Sequence, residues 1–234
     1  FSGRAKAYKT IVETLVHGAR GLTEICDALD IKKNGHVSEF LDDLVASGFV
    51  VRDVSYSPVT GRPSKLARYR LKDNYLRFYL KYVGPIKENI RQGVTESVDL
   101  ESLVDWETIM GFQFENLVLN HLPSSCHALG IQPNTILSAS TYIQRATQRQ
   151  KGCQIDLLIR TQHTLYVCEI KFRRQIPASV IDEVNEKILR IKKPKHMSVR
   201  PALIYEGKLA PACEKSGFFD KCVHFGELLD APRL

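Results

Sequence analysis

No apolar run in the 234 residues approaches the ~20 that a membrane-crossing helix needs. The first residues are basic and mixed, without the apolar core of a signal peptide. No Cys-x-x-Cys occurs. The six cysteines (Cys26, Cys126, Cys153, Cys168, Cys213 and Cys222) are scattered, and several lie in apolar runs. That excludes a disulfide or zinc framework and fits buried free thiols in a reducing compartment, the cytoplasm. None of the seven histidines recurs at metal-ligand spacing, and no Ser or Cys has a convincing His partner for nucleophilic catalysis. There is no internal repeat and no low-complexity segment. The first residue, Phe1, is not an initiator methionine, which reads as a fragment of a longer chain.

What is present is a globular composition, 44% hydrophobic and 25% charged, in a chain long enough for one large or two ordinary domains. The net charge of +7 is unevenly spread: +5 over residues 1–84, −5 over 85–144, +8 over 145–200 and −1 over 201–234. Two basic blocks flanking an acidic middle suit a polyanionic partner contacted at two places. Solvated surface charge is the alternative reading of either block.

The N-terminal third predicts three short helices. The first follows a stripe through Ala7, Tyr8, Ile11, Val12, Leu15 and Val16, the second is capped by Thr23, and the third opens at Asn34 and ends at Gly48. Two strands follow, Phe49 to Val54 and Lys65 to Leu71, around a Pro/Gly loop. That order is the order of a winged helix, with Lys33, Asn34 and His36 at the start of the recognition helix and Arg62, Lys65, Arg68 and Arg70 on the wing. Glu39, Asp42 and Asp43 in the body of that helix would repel a phosphate backbone, so a protein-interaction module on the same frame is an equal reading. An aromatic helix, Asp73 to Val83, reads as a brace between domains. The domains are expected at 1–84 and 106–234, with 85–105 as linker and bridging helix.

From Trp106 the expected order is α-β-β-β-α-β-β-(α), an α/β sheet domain with helices packed on it. Its helix Trp106 to Leu122 carries Glu115 at the edge of, or within, the apolar face. Two apolar strands, Gly152 to Arg160 and Leu165 to Phe172, are separated by the polar stretch Thr161-Gln162-His163-Thr164, the right length for a hairpin loop. If the loop closes symmetrically, Arg160 faces Leu165, Asp156 faces Glu169 and Gln154 faces Lys171. Glu169 and Lys171 share one strand face because side chains alternate. Three ionisable groups on one face of an apolar hairpin are costly to bury unless paired or bound to metal.

Glu115 on a helix, Asp156 on a strand and Glu169-Ile170-Lys171 on the next, followed by a helix, resemble the PD-(D/E)xK, or restriction-endonuclease-like, nuclease superfamily. The winged-helix order in front of it resembles a narrower group, archaeal and bacterial AAA-type ATPases that end in a winged helix and a nuclease-like domain. The chain contains no G-x-x-x-x-G-K-[S/T], so it resembles the C-terminal part of such a protein or a stand-alone relative. The fold this implies is α/β (α+β): an N-terminal winged-helix domain followed by a restriction-endonuclease-like mixed-sheet domain.

The resemblance also implies a chemistry. Mg²⁺ (or Mn²⁺) would be held by Asp156, Glu169, the carbonyl of Ile170 and Glu115, with Lys171 orienting the attacking water or stabilising charge on phosphorus. Arg145, Arg149, Lys151, Arg173 and Arg174 would grip phosphates around the site. Gln154, Glu183 and Lys187 are candidates for site support. The expected function is a metal-dependent nuclease acting on DNA, with the winged helix positioning the substrate and an AAA-type ATPase, upstream or separate, as partner. The alternative is a non-catalytic DNA-binding or protein-interaction module, in which Asp156, Glu169 and Lys171 form a salt-bridged cluster at a sheet end.

Overall fold

The apolar stripe of the N-terminal segment becomes α1 (Ser2–Leu15), followed by α2 (Leu22–Ala28), α3 (Gly35–Ala46), β1 (Val50–Tyr56) and β2 (Pro63–Leu71). This is the expected order, seen in a computed structural model that describes residues 2–31, 35–95, 98–148 and 150–229. Ile11, Leu15, Ile25, Val37 and Leu41 are fully enclosed in one core. Helix α2 starts two residues earlier than expected. Its first turn is closed by Glu24, whose carboxylate accepts the Gly21 N–H at 2.7 Å, so Thr23 is not the cap. Asn34, the expected cap of α3, lies outside the described residues.

The aromatic stretch forms α4 (Asn74–Phe78), capped by the Asp73 carboxylate on the Leu76 N–H, and runs on as a π turn over Tyr79–Val83. α5 (Lys87–Arg91) and α6 (Trp106–Asn120) follow. Tyr82, Leu103, Trp106, Ile109 and Phe112 all pack into the same core as α1–α3, with the Tyr82 and Trp106 rings 6.0 Å apart. The aromatics therefore belong to one unit, made of Phe1–Asp53 and Ala67–Asn116, which also takes in the described residues of 85–105. The division expected from composition missed this because apolar residues on the far side of an acidic, weakly periodic segment return to the first core.

The second unit comprises Val54–Leu66 and Leu117–Leu234. After α7 (Leu122–Ala128) its elements are β3 (Ser138–Gln144), β4 (Cys153–Arg160), β5 (Thr164–Ile176), α8 (Val180–Arg190), β6 (Ser198–Leu209), α9 (Pro211–Lys215), β7 (Lys221–His224) and α10 (Phe225–Leu229). The short helices α7 and α9 were not expected; each has proline in its first turn, where the missing N–H costs nothing. The strands form one sheet in the order β3-β4-β5-β6-β7, antiparallel through β5 and parallel from β5 to β7. A mixed sheet with helices packed on it makes the protein α+β. Among the described residues no helix is long and apolar enough to cross a membrane.

The tip of the β1–β2 hairpin belongs to this unit. The Ser55 hydroxyl accepts the Ile143 N–H at 3.2 Å, and Arg160 Nε donates to the Pro58 carbonyl at 3.3 Å. Gly61, at φ +70°, sits where a Cβ would lie 2.9 Å from the Arg160 guanidinium. The tip is thus seated on β3 and β4 rather than standing free as a wing.

Candidate active site

The hairpin register is the one the loop length predicts. Arg160 faces Leu165, and the ladder continues to Leu157 opposite Cys168. There the paired ladder ends; Asp156 and Glu169 are the next residue on each strand, and the Glu169 charge acts on Asp156. The Asp156 carboxylate replaces the next backbone acceptor: its Oδ2 takes the Ile170 N–H at 2.9 Å. In a strand the N–H and C=O of one residue point to the same side, so the Ile170 carbonyl also faces the β4 edge where the ladder has opened.

Glu169 is 2% exposed and is held by two ammonium groups. Lys171 Nζ lies 2.9 Å from its Oε1, and Lys187 Nζ lies 2.5 Å from its Oε2. Lys187 comes from α8, which packs Val180 and Val184 into the sheet core. Asp182 and Glu183 in the first turn of α8 and Lys187 and Arg190 in the last complement its dipole. Glu183 and Lys187 are four residues apart and share a face. That face is turned to β5, so Glu183 pairs with Lys171 at 3.0 Å while Lys187 reaches Glu169. The expected part of Lys187 in supporting the site rests on this ion pair. Sequence periodicity marks the apolar side of a helix but does not say which polar residues at its border clear the sheet edge.

The electrostatics follow from this packing. Burial, and then the Glu169 charge, push the Asp156 carboxyl up to about 6, against partial relief from Lys187, the Ile170 N–H and Lys171. Burial alone would lower the Lys171 ammonium, but Glu169 and Glu183 more than offset it and hold its pKa above the ordinary value. Asp156 opens into a cleft of about 440 Å³ whose lining includes Gln154, Gln144, Lys187 and Arg190. Gln144 was not singled out from the sequence. It is buried, donates to the carbonyls of Lys151 (2.9 Å) and Arg190 (2.8 Å), and accepts from the Tyr142 hydroxyl (3.0 Å). One buried amide so joins β3, the approach to β4 and the end of α8. A lone Gln at a strand end carries no pattern that would have revealed it.

The other expected site residues fall in several places. Glu115 lies on the part of α6 that belongs to the first unit, where its charge acts on the buried Arg77. Among the described residues no group of three or more His, Cys, Asp or Glu side chains is close enough together to hold a metal ion. Within the second unit the carboxylates that meet are Asp156 and Glu169.

Lys33, Asn34 and Arg149 lie outside the described residues. His36 is exposed and 3.7 Å from Glu39. Arg62, Lys65, Lys151, Arg173 and Arg174 are exposed, the last two at a bulge between β5 and β6. Arg68 is not a free wing cation: it donates to the Ala19 carbonyl at 2.7 Å and pairs with Glu24 at 3.2 Å. Arg70 is 6% exposed, pairs with Asp53 at 2.6 Å and donates to Asn116. Both arginines sit on a strand face turned into the first unit, where they meet the Ala19 carbonyl and the Glu24 and Asp53 carboxylates.

The fit to a hard divalent cation is mixed. Two carboxylates and a backbone carbonyl converge on one cleft, which is the oxygen donor set such ions take. The raised Asp156 pKa reports burial first and the Glu169 charge second, and a cation would relieve both. Both Glu169 oxygens, however, already face an ammonium.

A family model for archaeal and bacterial proteins of unknown function, DUF234, matches residues 79–188. Over that span the chain is similar to DUF234. The matched stretch takes in α6, the β4–β5 hairpin and most of α8. The uncharacterized protein MJECL04 of Methanocaldococcus jannaschii is 30% identical over 116 residues, 49% of this chain and 25% of that protein. The chain thus spans about a quarter of the length of the curated relative it matches. The solved structure of protein VC1899 from Vibrio cholerae aligns at 12% identity with a TM-score of 0.40, covering 98% of this chain and 50% of that one.

Proposed function

We propose that this protein is a metal-dependent nuclease that hydrolyses phosphodiester bonds in DNA at the Asp156–Glu169–Lys171 cleft. The observation that carries the reading is the pair of carboxylates on neighbouring strands, one of them pushed up to about 6 by burial and by the other, with an E-x-K lysine on the same strand face. A protein gains no stability from such a pair; it suits a site that holds a cation when working. A bound Mg²⁺ or Mn²⁺ supplies charge neutralisation at the phosphate and a water of lowered pKa. Asp156 and Glu169 would hold it, with the Ile170 carbonyl as a backbone donor. Glu183 anchors Lys171, which would orient the attacking water and stabilise charge building on the phosphate oxygens if Glu169 held the cation. Lys187 is placed to take a phosphate oxygen, and Lys151, Arg173 and Arg174 supply further positive charge.

The wider resemblance supports reading the first unit as a winged helix and the second as a PD-(D/E)xK domain, acting in or beside an AAA-type ATPase. Five buried thiols among six free cysteines suit the reducing cytoplasm.

The second reading is a non-catalytic DNA-binding or protein-interaction module. It is favoured by one observation, the two lysines that already neutralise Glu169. Incubation of plasmid and single-stranded DNA with Mg²⁺ or Mn²⁺ separates the two. Divalent-dependent cleavage lost in Glu169→Gln and in Lys171→Ala, both folded by circular dichroism, supports the nuclease. Cleavage that survives both changes sinks the site assignment, and salt-sensitive DNA binding with no product supports the second reading.

A further inference from the structure

Gln144 is the ridge between two clefts, both of which it lines together with Ile143. One is the Asp156 cleft of about 440 Å³. The other, about 260 Å³, runs between β3 and the 54–66 hairpin tip, with Tyr56, Arg145 and Lys192 on its walls. We propose that the two clefts form one track for a single strand of nucleic acid. The nucleotide to be cut lies beside Asp156, and its neighbour lies in the groove under the hairpin tip. The assignment of the first cleft rests on the nuclease reading; the groove as a strand-binding surface does not.

Three observations carry the track. Each cleft has two cations on its wall, Lys187 and Arg190 in one, where they also pair with Glu169 and Glu186, and Arg145 and Lys192 in the other, so a strand crossing the ridge meets positive charge on both sides of it. The walls are built rather than loose. The tip is tied down by the Ser55–Ile143 and Arg160–Pro58 bonds, and the Gln144 amide is satisfied on both sides of the ridge. The volumes admit one nucleotide-sized unit apiece, and the groove wall carries an aromatic ring. A ring stacks on a base only when that base is unstacked and unpaired, a condition a single strand meets and a double helix does not. The hairpin tip is then a wall of the substrate path rather than a probe of a duplex groove.

Fluorescence anisotropy in EDTA at low salt tests this, using a labelled 15-nucleotide single strand and the blunt duplex of the same sequence. The wild-type chain is expected to bind the single strand about tenfold more tightly than the duplex. R145E/K192E is expected to weaken single-strand binding by at least about tenfold and to flatten its salt dependence, by roughly 0.7 in the log–log slope for each phosphate that is no longer neutralised. Tyr56→Ala is expected to weaken it by about fivefold or more with the salt slope unchanged. Lys208→Glu, an exposed change on β6, is expected to bind as wild type. Duplex binding as tight as single-strand binding overturns the track. So does an R145E/K192E variant no weaker than Lys208→Glu. If the binding pattern holds and no metal supports cleavage, the nuclease reading falls and the track stands. If cleavage depends on Glu169 while R145E/K192E binds normally, the track alone falls.

Discussion

Replacing Asp156 by Asn is expected to stabilise this protein while removing the proposed nuclease activity. The Asp156 carboxyl ionises near pH 6 in the folded chain against an ordinary 3.8. An acid whose folded pKa is raised favours the folded chain only while protonated. Its charge therefore costs nothing below about pH 4, and stability falls as pH rises from there to about 6. The difference of about two pH units at ~1.4 kcal/mol each sets an upper limit of ~3 kcal/mol at neutral pH, and the opening of Asp156 to the cleft reduces it to ~1–3. Asn has nearly the same shape, and its carbonyl oxygen can still accept the Ile170 N–H, so the neutral side chain keeps that hydrogen bond and is free of the repulsion from Glu169. Urea unfolding followed by far-UV circular dichroism at pH 7.5 and pH 4.5 measures both proteins. The Asn variant should be the more stable at pH 7.5 by ~1–3 kcal/mol, with the gap closing toward pH 4. Comparing the two proteins cancels the titration of every group that does not interact with Asp156. A variant that is less stable at pH 7.5, or a gap that does not change with pH, would refute the electrostatic argument for a strained carboxylate pair.

Two further outcomes follow from single residues. Lys187→Met should raise Mn²⁺ affinity in calorimetric titration by about tenfold or more, because a charge about 4 Å away is worth up to ~4 kcal/mol at an effective dielectric of 20; unchanged or weaker binding would show that Lys187 does not compete with a cation at Glu169. Gly207→Ala should destabilise by about 3 kcal/mol or more and lower Tm. Gly207 adopts φ +117°, and a Cβ there would lie 1.7 Å from the Arg173 carbonyl oxygen, so β6 could no longer lie against the bulge that carries Arg173 and Arg174; a variant as stable as wild type would contradict that packing.

The hairpin was legible because its information is local. Four polar residues between two apolar runs set the register, a period of two sets the faces, and Asp156 beside Glu169 follows by counting. The element order from α1 to β2 and from β3 to β7 was legible for the same reason, since apolar periodicity and turn residues act within a few positions. The helices α7 and α9 were missed because segments this short carry less than a full period of pattern.

Local pattern by itself thus determined the elements, the strand register and the placing of Asp156, Glu169 and Lys171 on one face. Only tertiary packing decided which charges are already spoken for. Arg68 and Arg70 look like wing cations in sequence, yet they are consumed by Ala19, Glu24, Asp53 and Asn116. Lys187 looks like a solvated helix residue and instead meets Glu169, because the rotation of α8 on the sheet is fixed by Val180 and Val184 entering the core. Likewise the return of Trp106, Ile109 and Phe112 to the first core moved the boundary to the middle of α6, and the seating of Ser55 and Pro58 on β3 and β4 gave the hairpin tip to the second unit. The physical reason is common to all of these. A side chain's local propensity is set by its own backbone and near neighbours, whereas its partner is chosen by whichever distant surface must bury a charge or an apolar face against it.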